Sequence, residues 1–118
     1  MSLRELDPKT ALEAVQSKKA VLIDVREPRE YVAERIHGAL LFPLSTFDPS
    51  ALPLDKTREM IFHCGSGKRS ADALARCRAA GIPITAHIRG GLMAWKQAGL
   101  STLAIDPATG AIIDPQAG

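Results

Sequence analysis

Two cysteines in 118 residues are too few for a disulfide framework. Charge of one sign is scarce as well: fifteen Lys and Arg against thirteen Asp and Glu leave a net charge of +2. That balance is too small to argue for a nucleic-acid surface. No apolar run approaches the length that spans a bilayer, so no membrane role is expected. The opening MSLRELDPKT holds no apolar h-region, from which free thiols in a cytoplasmic setting are expected. Aromatic residues are few, so the single Trp95 is expected to anchor the core. Eight prolines and nine glycines are spread along the chain, as many short connections require.

What is present is one domain's worth of ordinary globular sequence, long enough to bury a core without a metal or a cross-link. The pattern alternates. DPKTALEAVQSKK reads as a helix, with Asp7 as N-cap, Pro8 at its first position, and Ala11, Leu12 and Val15 at helical spacing. AVLIDVR (20–26) is a continuous apolar run, the mark of a strand covered on both faces. EPREYVAERI reads as helix, and GALLFPL (38–44) as a second strand ended by Pro43. STFDPSALPLDKT is irregular. EMIFHC is a third strand, residues 69–80 a helix, ITAHI (84–88) a fourth strand, and GLMAWKQAG the last helix. This β-α order predicts an α/β fold of three layers, with a mostly parallel sheet of about four to five strands flanked by helices. Residues 1–104 are expected to form the domain, and 105–118 a tail folded as a small hairpin or an extended arm.

In such sheets ligands bind beyond the carboxyl ends of the strands, and IFHCGSGKRS (61–70) lies at that kind of place. Cys64 follows a strand, Gly65, Ser66 and Gly67 permit a tight turn, and a helix begins after them. Spacing excludes the familiar phosphate loops. A P-loop fails at Phe62 and Arg69, and a dinucleotide fingerprint fails at Ser70. A zinc site lacks soft ligands, since His63 and Cys64 alternate across a strand; no metal and no cofactor are expected. A reactive cysteine remains. A free thiol, with a pKa of roughly 8.5, falls to about 3.5–7.5 at a helix N-terminus or beside cations. The turn's N–H groups form an anion nest around such a sulfur, with Lys68 and Arg69 adjacent. Cys77, three residues after Leu74, belongs to an apolar helix face and reads as core. Strand alternation aims His63 away from Cys64. His37 and His87 read as surface or packing residues.

At these residues the chain resembles a single-domain rhodanese, over roughly residues 5–100 and four motifs in order. LIDVREPREY is similar to the family's first-strand motif, ERIHGALLFPL to its G-H-I-P-G-A segment and second strand, FHCGSGKRSADALARCRAAG to its active loop and helix, and IRGGLMAWKQAGL to its Gly-Gly…Trp motif. Two places depart from the pattern: Glu34-Arg35 stand where Gly-His is frequent, and His37 where a Pro is common. The four residues between Cys64 and Arg69 match the loop length associated with sulfur transfer; the five-residue loop of related phosphatases would require Arg at position 70, which is Ser.

The resemblance implies a thiosulfate sulfurtransferase. Cys64 would attack a small anionic sulfur donor such as thiosulfate, carry the sulfur as a persulfide, and yield it to cyanide or a cellular thiol. Gly65, Ser66, Gly67, Lys68 and Arg69 would bind the donor and the persulfide, the Arg69 fork meeting the donor's oxygens. Asp24, Arg26 and Ser70 would support the loop, with Arg26 in an ion pair with Glu30. Gly90 and Gly91 would let the last helix start close to the active loop. A protein partner in a sulfur relay, or a regulatory binding module, is the alternative.

Overall fold

A computed structural model of the chain describes residues 3–115. Met1 and Ser2 of the opening segment and residues 116–118 of the expected tail lie outside the described residues. Asp7 caps the first helix, α1 (Pro8–Gln16), its Oδ1 accepting from Thr10 N at 2.8 Å, with Pro8 where a missing N–H costs nothing. The strand β2 (Ala20–Asp24) follows. Its parallel partners are β4 (Leu40–Leu41) on one side and β5 (Glu59–His63) on the other. On the far flank of β5 lies β6 (Ala86–Ile88), itself paired in parallel with β1 (Arg4–Leu6). The five-stranded sheet runs β1-β6-β5-β2-β4 and is parallel throughout.

Strand alternation divides the core in two. Leu22, Ile61, Ala86 and Ile88 point to the side holding Ala11 of α1 and Leu92 and Trp95 of α4 (Gly91–Gln97). Ile23, Phe62 and Cys64 point the other way, against Ala73, Leu74 and Cys77 of α3 (Lys68–Ala79). Trp95 is buried as expected, its Nε1 donating to Ser101 O at 2.9 Å.

Three elements differ from the sequence pattern. Arg4–Leu6 is a strand, since the edge of β6 offers it hydrogen bonds that no local periodicity announces. The stretch 38–44 contributes only Leu40–Leu41 to the sheet; Gly38 takes a left-handed turn with φ +84°, and Pro43 has no N–H to offer. The helix expected over 27–36 is short. It runs as α2 (Pro28–Ala33), and Glu34 then turns extended. Glu34–Arg35 becomes β3, which pairs antiparallel with β7 (Leu103–Ile105), and β7 pairs in turn with β8 (Ile112–Ile113).

Residues 103–113 thus form a hairpin whose first strand spans residue 104. Its register sets Glu34 against Ala104 and Arg35 against Leu103. The Glu34 carboxylate accepts from Thr102 Oγ1 at 2.6 Å and from Lys96 Nζ at 2.8 Å. Glu34 and Arg35, two of the three residues that depart from the rhodanese pattern, are therefore the ones that bind the segment beyond it. No helix among the described residues is long and apolar enough to cross a membrane.

Candidate active site

The loop after β5 turns back on itself because α4 holds it from behind. Leu92 N donates to Cys64 O at 2.8 Å, and Met93 N to Gly65 O at 3.1 Å. That approach is open only to glycine at position 91, where a Cβ would stand 2.3 Å from Cys64 O, and φ is +59°. The expected closeness of Gly90-Gly91 to the loop is found, with a reason. Gly67, at φ +105°, then turns the chain into α3. The sulfur of Cys64 lies over that helix start and accepts from Gly67 N at 3.0 Å.

Cys64 is buried and free. Burial by itself would push its thiol up. Hydrogen bonds from the Ser70 hydroxyl and from the N–H groups of Ser70, Gly67 and Ser66 outweigh that, and the thiol is held below its ordinary value. The acidity comes from these directed donors. Lys68 and Ser66 are exposed beside the turn, and Gly65, Gly67 and Arg69 are partly buried.

Arg69 does not present an open fork. Its Nη1 donates to Glu30 Oε1 at 2.6 Å and its Nη2 to Glu30 Oε2 at 3.0 Å. The same two-pronged contact holds the Glu30 carboxyl well below its usual range, at about 2, against a counteracting burial. The expected Arg26–Glu30 pair is therefore replaced. Arg26 donates to Asp24 through Nε and Nη2, the latter at 2.8 Å, and reaches Glu34 O at 2.6 Å with the same nitrogen. Asp24 and Arg26 are both almost fully buried, and the pair ties the end of β2 to the start of β3. The short reach explains the exchange: Asp24 shares the buried side of the strand end with Arg26, while Glu30 rises on α2 toward Arg69.

His63 points as alternation requires, away from the sulfur, its Nε2 3.5 Å from Asp24 Oδ2. Burial pushes its pKa down, more than the nearby Asp24 raises it, so a neutral ring fills the space. Cys77 packs in the core with its thiol pushed up to about 11 by burial alone. Of the two histidines expected at the surface or in packing, His37 is exposed and His87 is buried. It is 2 % exposed, and its Nδ1 lies 2.7 Å from Ser70 Oγ, which in turn is 3.6 Å from Cys64 Sγ. The sequence marked Glu30 as an ion-pair partner but assigned it to Arg26, and it gave no sign that His87 meets the loop. Each comes to the loop from a different element, which only the packing of the sheet brings together.

A hollow of about 560 Å³ lies elsewhere, along the apolar outer side of α3 between Leu3, Leu74 and Ile84, and holds no group that does chemistry. Among the described residues, no three of His, Cys, Asp and Glu gather at a distance that would hold a metal.

Comparison with known proteins identifies the fold and family. Residues 7–98 match the family model of the rhodanese-like domain. An uncharacterized protein of Synechocystis is 45 % identical over 96 residues, which are 81 % of this chain and 54 % of that protein. The probable adenylyltransferase/sulfurtransferase MoeZ of Mycobacterium tuberculosis is 40 % identical over 66 % of this chain and 20 % of its own length. The chain thus spans about half of the first relative and a fifth of the second. A sulfurtransferase of Allochromatium vinosum is 31 % identical, over 75 % of this chain and 82 % of that protein. Among solved structures, a thiosulfate sulfurtransferase from Pseudomonas aeruginosa superposes with a TM-score of 0.75 at 25 % identity, covering 85 % of this chain and 20 % of that one. A parallel sheet ending in a glycine-turned cysteine loop, matched along most of its length, places the chain in the rhodanese-like family.

Proposed function

We propose that this chain is a sulfurtransferase working through a persulfide on Cys64. The observation that carries the reading is the seat of the sulfur: an acidified thiol at a helix start, 3.0 Å from Gly67 N and surrounded by further N–H donors. Such a nest favours a thiolate, and after transfer it favours an anionic persulfide equally well. The Cys64 thiolate attacks the outer sulfur of thiosulfate, the donor's S–S bond breaks, and sulfite leaves with the bonding pair. Cyanide or a thiol then attacks the outer persulfide sulfur and restores the thiolate.

Gly65, Ser66, Gly67 and Ser70 supply the cradle. Lys68, exposed at the turn, draws the anionic donor, and Arg69 joins it to the extent that Glu30 releases the guanidinium. Asp24 and Arg26 hold the strand ends beneath the loop. The rhodanese-like part of the chain carries the chemistry, and the hairpin of residues 103–113 braces it through β3. Free thiols suit a reducing, cytoplasmic setting. A carrier that takes its persulfide from a partner protein needs the same loop, and the burial of Cys64 favours a partner able to enter it.

Intact mass measured before and after thiosulfate tests the reading. The wild type gains one sulfur, loses it to cyanide, and Cys64→Ala gains none. A wild type that stays unmodified while its thiol remains free overturns thiosulfate as donor. The same measurement with persulfide offered on a protein then tests the relay.

A further inference from the structure

His87 stands on β6 between two residues of the α1 and α4 core, so its ring faces α3, where Ser70 meets it. On its other side, Nε2 lies 3.4 Å from Oε2 of Glu5, a half-exposed residue of the edge strand β1. Four groups stand in a row: a buried thiol, a buried hydroxyl, a buried imidazole and a carboxylate at the surface.

Ser70 has one hydroxyl proton and three acceptors near it: Gly67 O at 3.2 Å, His87 Nδ1 at 2.7 Å and the Cys64 sulfur at 3.6 Å. The Glu5 carboxylate keeps a proton on His87 Nε2, because a bare nitrogen facing a carboxylate is repelled. Neutral His87 then offers a bare Nδ1, which draws the Ser70 proton away from the sulfur. In that arrangement the Ser70 oxygen accepts from the Cys64 S–H. A thiolate needs the row reversed, with Ser70 donating to sulfur and Nδ1–H donating to Ser70.

We infer that Cys64 ionises by passing its proton through Ser70 to His87. The S–H bond breaks as Ser70 Oγ takes that proton. The former Ser70 proton passes to Nδ1, and a thiolate–imidazolium pair remains with Glu5 opposite Nε2. No electrons change hands, and no other reactant is consumed. Burial pushes the His87 pKa down, only partly offset by Glu5, so the ring takes the extra proton only when the thiolate is there to balance it. The other charges nearby are already answered. Arg69 is held by Glu30, Asp72 of α3 by Arg76, and Asp24 by Arg26. His63 faces the opposite side of the sheet, Arg89 at the end of β6 lies toward Asp7, Lys68 is exposed, and Cys77 is neutral at about 11. His87 is thus a positioning residue, which acts on the sulfur through Ser70.

The inference rests on Cys64 being the nucleophile of the proposed transfer, and its test needs no sulfur donor. Imidazole ¹⁵N shifts are followed across the pH range in which Cys64 becomes alkylated by iodoacetamide, with the His87 signal identified by its loss in His87→Asn. The wild type shows His87 doubly protonated wherever Cys64 is a thiolate, and Cys64→Ala shows it neutral at the same pH. In His87→Asn, which keeps a hydrogen-bonding group beside Ser70 but carries no charge, the alkylation midpoint rises by about one pH unit. Glu5→Gln, at a half-exposed position that tolerates the change, moves it the same way by less. A neutral His87 in the wild type at a pH where Cys64 is ionised overturns the inference, as do midpoints unchanged in both variants. A wild type that takes up sulfur neither from thiosulfate nor from a protein persulfide, yet shows the thiolate–imidazolium pair, overturns the sulfurtransferase reading and sustains this one.

Discussion

Cys64 and Cys77 are both free, both buried, and packed into the same half of the core. They are opposite in chemistry. Burial drives the Cys77 thiol up to about 11, whereas Cys64 lies below its ordinary value despite burial. The difference is one of backbone geometry. Cys77 sits mid-helix, where the N–H groups around it are already bonded within α3. Cys64 sits where a turn leaves the N–H groups of Ser66, Gly67 and Ser70 pointing at one sulfur. Desolvation is shared between the two thiols, and directed donors decide which is the more acidic.

The widest separation is expected in alkylation at neutral pH. Donors hold Cys64 below the ordinary thiol value while burial holds Cys77 at about 11, so the two are separated by roughly two pH units. Thiolate fractions then differ by about a hundredfold. Peptide mass mapping after brief iodoacetamide treatment finds label on Cys64, and equal labelling of both erases the distinction. In the same assay Cys77→Ala leaves Cys64 labelling unchanged.

Gly91→Ala brings Cys64 toward the behaviour of Cys77. A methyl group 2.3 Å from Cys64 O forces the loop off α4 and disperses its donors, at a residue whose positive φ already disfavours alanine. The alkylation midpoint rises, and the rate at neutral pH falls by about tenfold, or one pH unit's worth of thiolate. Thermal unfolding shifts down by roughly 4 °C or more for each kcal/mol lost.

Glu30→Gln acts on the donor side of the loop alone. With its partner neutral, Arg69 is free to meet an anion, and the KM for thiosulfate falls by about threefold, within what one exposed charge pair is worth. Cys77 stays unreactive. The sign with pH follows from the depressed carboxyl. The stability this pair contributes is complete above the ordinary value of 4.5 and is lost as pH falls through about 2. At neutral pH the restraint on Arg69 is therefore always present.

The smallest effect on the loop is expected from the hairpin. Thr102→Ala removes the hydrogen bond to Glu34 and costs about 1 kcal/mol of stability by urea unfolding. Neither cysteine's alkylation profile moves. A shift in the Cys64 profile would mean that β3 transmits strain through Arg26 to the loop.

Much of this was legible in the residues. The continuous apolar run ending at Asp24 marked a strand covered on both faces. Cys64 before three turn residues and a helix marked the site, and the Asp7-Pro8 start of α1 followed from capping chemistry. Those features are local, because each depends on the conformational demands of a few adjacent residues. What was not legible depends on contacts between distant segments. Arg4–Leu6 is a strand only because β6 has a free edge, and Glu34–Arg35 leaves its helix only because residues 103 and 104 pair with it.

Local sequence was enough to set the α/β class and to put Cys64 at a strand-to-helix turn, the position from which the proposed persulfide chemistry starts. Tertiary structure decided the partners. It gave Arg69 to Glu30 and Ser70 to His87, pairs 39 and 17 residues apart along the chain. The physical reason is the range of the forces involved. Turn geometry and helix starts are set by neighbours in sequence, whereas hydrogen bonds between side chains are set by whichever elements the packing of the sheet brings within about 3 Å of each other.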